Sequence, residues 1–116
     1  PLLLGAARGE LPERPLRLRA GASVGVVMAA AGYPGPPRQG DAISGIAEAE
    51  ATGARVFHAG TRRLDGRLVT SGGRVLTVCA QAPTVGLARE AAYRACALIR
   101  FDGAQYRRDI GARAVA

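Results

Sequence analysis

The chain has 116 residues, 48% of them hydrophobic, which suffices for one core; no second core is expected. Its net charge of +7 comes from 16 basic residues, all arginine, set against 9 acidic ones. The arginines are scattered and are accompanied by just Tyr33, Phe57, Tyr93, Phe101 and Tyr106 as aromatic residues. That pattern argues against a stacking platform for nucleic acid and for a solvated basic surface able to meet phosphorylated small molecules.

Residues 1–5 carry three consecutive leucines and no initiator Met, and read as the tail of a preceding element or of a trimmed chain. Residues 9–15 hold Pro12, Pro15 and three charges and read as a linker. The globular unit is therefore expected from residue 16 to residue 116. Residues 23–30, with Val24, Val26 and Val27, suit a buried strand ended by Gly32 and Pro34. Three prolines and two glycines make 34–40 a loop. A short helix is predicted over 44–52, stopped by Gly53, with Ile43, Ile46 and Ala47 on one face.

The centre reads as a meander. Residues 55–61 and 67–71 are β-like and joined at Asp65-Gly66, a hairpin signal. Gly72-Gly73 is predicted as a second tight turn between antiparallel neighbours, leading into a strand over 74–81. After Pro83, Thr84 is an N-cap candidate for a long helix with Leu87, Ala88, Ala91, Ala92, Ala95, Leu98 and Ile99 on its apolar face. Glu90 and Arg94 stand at the favourable i, i+4 spacing on the other side. Gly103 breaks the pattern, and 106–110 is predicted to return as a last strand. The fold class is α+β: an antiparallel, meander or barrel-like sheet covered by one long and one short helix.

Cys79 and Cys96 lack C-x-x-C spacing and lie in apolar surroundings, so they are expected to be free buried thiols of a cytoplasmic protein. The apolar run 24–31 is far short of the ~20 residues that span a bilayer, and no signal-peptide pattern is present. His58 has no cysteine or carboxylate at ligand spacing and reads as structural. Gly72-Gly73 joins two strands and precedes no Lys, so turn geometry accounts for it better than a phosphate loop. Arg74, directly after it, has two open roles: clamping a carboxylate or phosphate, or a structural contact such as a pair with Asp109. Alternation over 106–110 sends Arg107 and Asp109 to one face and Arg108 to the other.

Four segments stand in one order: GYPG (32–35), FHAGT (57–61), TSGGRVL (70–76) and YRRDIG (106–111), with GDAISG (40–45) between the first two. Together they resemble the C-terminal domain of phosphoribosylamine-glycine ligase, of the ATP-grasp superfamily. The resemblance runs over about 24–114. It departs at Pro36, Pro37, Arg38 and Gln39, where an aromatic and a Lys are usual, and at Ala82 and Ala112.

The resemblance implies an ATP-dependent carbon-nitrogen ligase of purine synthesis that joins glycine to 5-phosphoribosylamine through glycyl phosphate. It implies that residues 1–15 are the tail of the ATP-grasp domain and a linker, and that the N-terminal and ATP-grasp domains are the partners. ATP and magnesium would belong to the full-length enzyme, and no cofactor, nucleic acid or membrane is expected for this piece, which is expected to be inactive alone. Arg108, with Asp109 and Gly111, is the substrate-cleft candidate carried over from the resemblance, beside Arg74. A noncatalytic binding module with this fold, and the matching domain of another ATP-grasp ligase or carboxylase, are the alternatives.

Overall fold

A computed structural model describes residues 2–11, 13 and 16–115. The first helix, α1 (Leu2–Arg8), buries none of its residues. Pro12, Arg14 and Pro15, on which the predicted linker rests, lie outside the described residues, as does Pro1.

Strand β1 (Ala22–Ala29) is the expected strand, with Val24, Val26 and Met28 buried, but it alternates, so Val27, expected in a buried strand with them, is turned outward. It pairs antiparallel with β5 (Arg74–Ala82), which pairs on its other side with β2 (Arg55–His58). Helix α3 (Val85–Leu98) lies across one face of this sheet, and α2 (Ile46–Ala51) packs beside it. The core is the layer between them: Val26, Met28, Leu76 and Val78 from the sheet meet Ala88, Ala92, Ala95 and Cys96 from α3. Alanines dominate the helix side, so the helix sits close to the strands. Thr84 caps α3 as predicted, its side-chain oxygen accepting from the Leu87 N–H at 3.3 Å.

Strands β3 (Thr61–Leu64) and β4 (Arg67–Thr70) form a separate two-stranded sheet. The Asp65-Gly66 turn that joins them has positive φ at both residues, 49° and 76°, as a type I′ hairpin requires. Backbone hydrogen bonds from the 40–43 segment to Leu68 and Thr70 tie this hairpin to the rest.

Several expectations are corrected. The sheets do not close into a barrel, and their order is no meander: β5, last in sequence, is the central strand. Gly72-Gly73 connects strands of two different sheets instead of an antiparallel pair, and neither glycine has positive φ. The run 55–61 breaks at Ala59-Gly60 into the end of β2 and the start of β3. Residues 106–110 form no strand; Gln105 alone bridges Ala29 through backbone hydrogen bonds in both directions.

Packing registers also differ in detail. In α2 the buried residue is Ala49, with Ala47 exposed, because the helix starts only at Ile46 after Gly45 has turned the chain. In α3 Leu87 and Leu98 are exposed and Cys96 is buried, so the core face is rotated toward the small residues. Glu90 and Arg94 make no ion pair; among the described residues those pairs are Arg38 with Asp41 and Asp102, and Arg107 with Asp109.

Candidate functional site

The face of the β1-β5-β2 sheet away from α3 carries the site. Along β5, strict alternation from Leu76 and Val78, both buried against the helix, would turn Arg74 into the core as well. The pairing register prevents this. Met28 pairs with Leu76, but Ala29 pairs with Arg74, so Val75 is an extra residue on β5. This bulge shifts the alternation by one and brings Arg74 out onto the open face, while Val75 itself is fully buried.

Arg74 there borders a groove of about 420 Å³. Strand β1 contributes Gly25, Val27 and Ala29 to its lining, and the 105–110 segment contributes Gln105, Tyr106, Arg107 and Ile110. Tyr33 completes the wall and also lines an adjoining hollow of about 400 Å³ with Arg74, Gly73, Val27, Ala59 and Thr77. Apolar surface and two guanidinium groups therefore meet in one concave place.

Local chemistry fixes those side chains. Asp109 accepts from Arg107 Nε at 2.9 Å and from its Nη2, a two-point pairing that aims the guanidinium and leaves its Nη1 donors unused by Asp109. The same pairing holds the Asp109 carboxyl below the usual carboxylate range, chiefly through the hydrogen bond from Arg107. Arg74 has no carboxylate at ion-pair distance among the described residues, so of its open roles the pairing with Asp109 is not made, and Arg107 holds that carboxylate instead. Arg108 lies outside the groove lining, its guanidinium 5.8 Å from the centre of the Tyr106 ring. Behind the 106–110 segment, Arg89 donates to the Ile110 carbonyl at 2.9 Å and to the Arg108 carbonyl at 2.7 Å. Tyr93 donates to the Arg107 carbonyl at 2.7 Å. Irregular backbone is thus held rigid by α3.

Gly60 explains how the connection reaches this place. A Cβ there would stand 2.7 Å from the Arg74 carbonyl oxygen and 2.8 Å from the Gly72 Cα, so three stretches of backbone cross where no side chain fits. His58 stands apart from the groove, exposed, with Nδ1 3.1 Å from Thr61 Oγ1. Among the predicted residues, then, the structure gathers Arg74 and Gly73 around Tyr33, with Asp109 acting on Arg107 from the rim. Of the other lining residues, Arg107 was placed by sequence on the face of Asp109 while Arg108 was the cleft candidate, Tyr33 entered as part of GYPG, and Gln105 was not singled out. The signal for Arg107 was present in its alternation with Asp109, whereas Gln105 and Tyr33 are recruited by the path of the loops.

Among the described residues no three His, Cys, Asp or Glu side chains are grouped so as to hold a metal ion. Asp41, Asp102 and Asp109 are each engaged by an arginine. These residues do not fit a magnesium centre. No helix among the described residues is long and apolar enough to cross a membrane.

A family model described as phosphoribosylglycinamide synthetase, C domain, matches residues 23–113. The phosphoribosylamine-glycine ligase of Caulobacter vibrioides is 50% identical over 99% of this chain and 27% of its own length. That of Ralstonia nicotianae is 57% identical over 80% of this chain and 22% of its own. The crystal structure of the Thermotoga maritima phosphoribosylamine-glycine ligase superposes with a TM-score of 0.81 at 39% identity, covering 94% of this chain and 26% of that one. The chain spans about a quarter of the length of the curated relatives it matches. Matched along nearly all of its globular part in both sequence and shape, the chain belongs to the phosphoribosylglycinamide synthetase C-domain family.

Proposed function

We propose that this chain serves as the C-terminal domain of a phosphoribosylamine-glycine ligase, the ATP-dependent enzyme that joins glycine to 5-phosphoribosylamine in the cytoplasm. The observation that carries this reading is the family match over 23–113 in a chain a quarter as long as its relatives. ATP and magnesium belong, on this reading, to the remaining domains, which are the chain's partners. The chain's own contribution is the groove on the open sheet face. Arg74 and Arg107 present guanidinium donors to an anionic group of a substrate, Asp109 orients Arg107, and Arg108 braces the segment through Tyr106. Two arginines against one carboxylate leave the groove a net positive charge, the sign that a phosphate or carboxylate needs.

Steady-state kinetics of the full-length ligase test this assignment. Arg74→Ala and Arg107→Ala should each raise the KM for 5-phosphoribosylamine or glycine and leave the KM for ATP unchanged, whereas Arg108→Ala should have the smaller effect. Wild-type KM values for both groove variants would remove the groove from the substrate path. The chain alone should show neither saturable Mg-ATP binding by calorimetry at physiological salt nor glycine-dependent phosphate release. Turnover by the chain alone would require a complete active site within it.

A further inference from the structure

Tyr33 is held with more care than its packing needs. The residue is 40% exposed, so its burial adds little to the core, yet Ala30 and Gln105 fix its backbone and Gly73 bounds its ring. Its backbone N–H donates to the Ala30 carbonyl at 3.2 Å. The Gln105 side-chain amide donates to the Tyr33 carbonyl at 3.1 Å and to the Ala30 carbonyl at 2.9 Å. Gly73 supplies the space for the ring: a Cβ on Gly73 would come within 2.5 Å of the ring's Cδ2 and 3.2 Å of its Cε2. A ring so positioned stands between the groove and the adjoining hollow, beside Arg74, which lines both.

From this placement we infer that Tyr33 is a specificity-determining wall of the groove, and that its ring packs against the sugar of a pentose phosphate whose anionic end is held by Arg74 and Arg107. The inference rests on the groove reading given above. It assigns to Tyr33 the choice between a sugar phosphate and a bare anion. The arginines alone cannot make that choice, because they meet the same phosphate oxygens in both. The working element is the ring: among the described residues the hydroxyl makes no hydrogen bond of its own. Gly73 is then a positioning residue, acting through the ring it admits.

The test is a chemical-shift titration of this chain with ribose 5-phosphate and, separately, with inorganic phosphate. The wild-type chain is expected to bind ribose 5-phosphate more tightly than phosphate. Tyr33→Ala should weaken ribose 5-phosphate about tenfold, the low end of what an apolar pocket contact contributes, and leave phosphate within about twofold. Tyr33→Phe should behave as wild type. Gly73→Ala, which moves the ring without removing it, should reproduce the selective loss, so the inference does not hang on one variant's folding. Equal loss of both ligands in Tyr33→Ala, no loss of either, or a loss in Tyr33→Phe as large as in Tyr33→Ala would overturn the role of the ring and leave the groove standing. Wild-type chain that binds neither ligand would overturn the groove reading and this inference with it. Phosphate bound as tightly as ribose 5-phosphate by the wild type would overturn the inference alone.

Discussion

Replacing Ala95 by Asp asks whether the layer between α3 and the sheet is the core that supports the fold. Ala95 is fully buried, and its neighbours on the helix face are Ala92 and Cys96. Among the described residues the buried cluster around it is apolar and Thr70 is the one buried polar or charged residue, so an introduced carboxylate would have no buried charge to pair with. An uncompensated buried charge costs about 3–5 kcal/mol, against a total stability of about 5–15 kcal/mol for a domain. At about 4–8 °C per kcal/mol for a domain of this size, the midpoint of thermal unfolding should fall by roughly 12–40 °C. Ala91, half-buried on the same helix, provides the control: a carboxylate there can reach water, and Ala91→Asp should cost much less. Burial would raise the pKa of the introduced carboxyl above its unfolded value, so the folded state would bind the proton more tightly. The penalty should therefore be smaller near pH 4 than at pH 7. Circular-dichroism melts of both variants at the two pH values supply the numbers. A midpoint for Ala95→Asp within about 2 °C of wild type, or equal losses for the two variants, would refute this account of the core.

The ends of α2 offer a paired comparison. Gly45 and Gly53 have similar φ, 85° and 92°, but a Cβ at Gly45 would sit 1.9 Å from the Leu98 carbonyl oxygen, while at Gly53 nothing lies within 4 Å. Gly53→Ala should cost about 1–2 kcal/mol of left-handed backbone strain, and Gly45→Ala distinctly more, by denaturant titration. Burial pushes the Cys96 thiol up to about 11 from 9.0, so alkylation of the native chain should label Cys79 first. Because the folded pKa lies above the unfolded one, the stability from Cys96 is complete below about pH 9 and declines as the pH rises toward 11; Cys96→Ala should lose that alkaline decline.

Where local chemistry decides the structure, it was legible in the sequence. Asp65-Gly66 forms its hairpin because two adjacent positive φ values suit those residues, and α3 starts at Thr84 because its side chain satisfies an orphan N–H. The central position of β5 was not legible, since pairing order depends on contacts distant in sequence. The reading of 106–110 as a strand failed for a related reason. Its alternating pattern is real, but side chains of α3, Arg89 and Tyr93, take up carbonyls that a neighbouring strand would have bonded. The candidate site was half visible: Arg74, Asp109 and the glycine pair could be named, but the face Arg74 occupies is set by a bulge at Val75 that no alternation rule contains. Gly72-Gly73 was noticed for turn geometry and matters for close approach, to Gly60 on one side and to Tyr33 on the other.

The separation of β3 and β4 into their own sheet divides the molecule's motions. That hairpin touches the remainder through backbone bonds at 40–43, through the Ser71 N–H to the Gly60 carbonyl, and through the burial of Val69 and Thr70. The three-stranded sheet, by contrast, is clamped along its length by α3. Small sheets with solvent-exposed ladders open at lower free energy than layered cores. In deuterated water the Arg62 to Leu68 amides should therefore exchange as one early group while those of β5 wait for global unfolding. The order in which the chain comes apart is written in its division into sheets, with the Gly60 crossing as the boundary between the part that breathes and the part that stays closed.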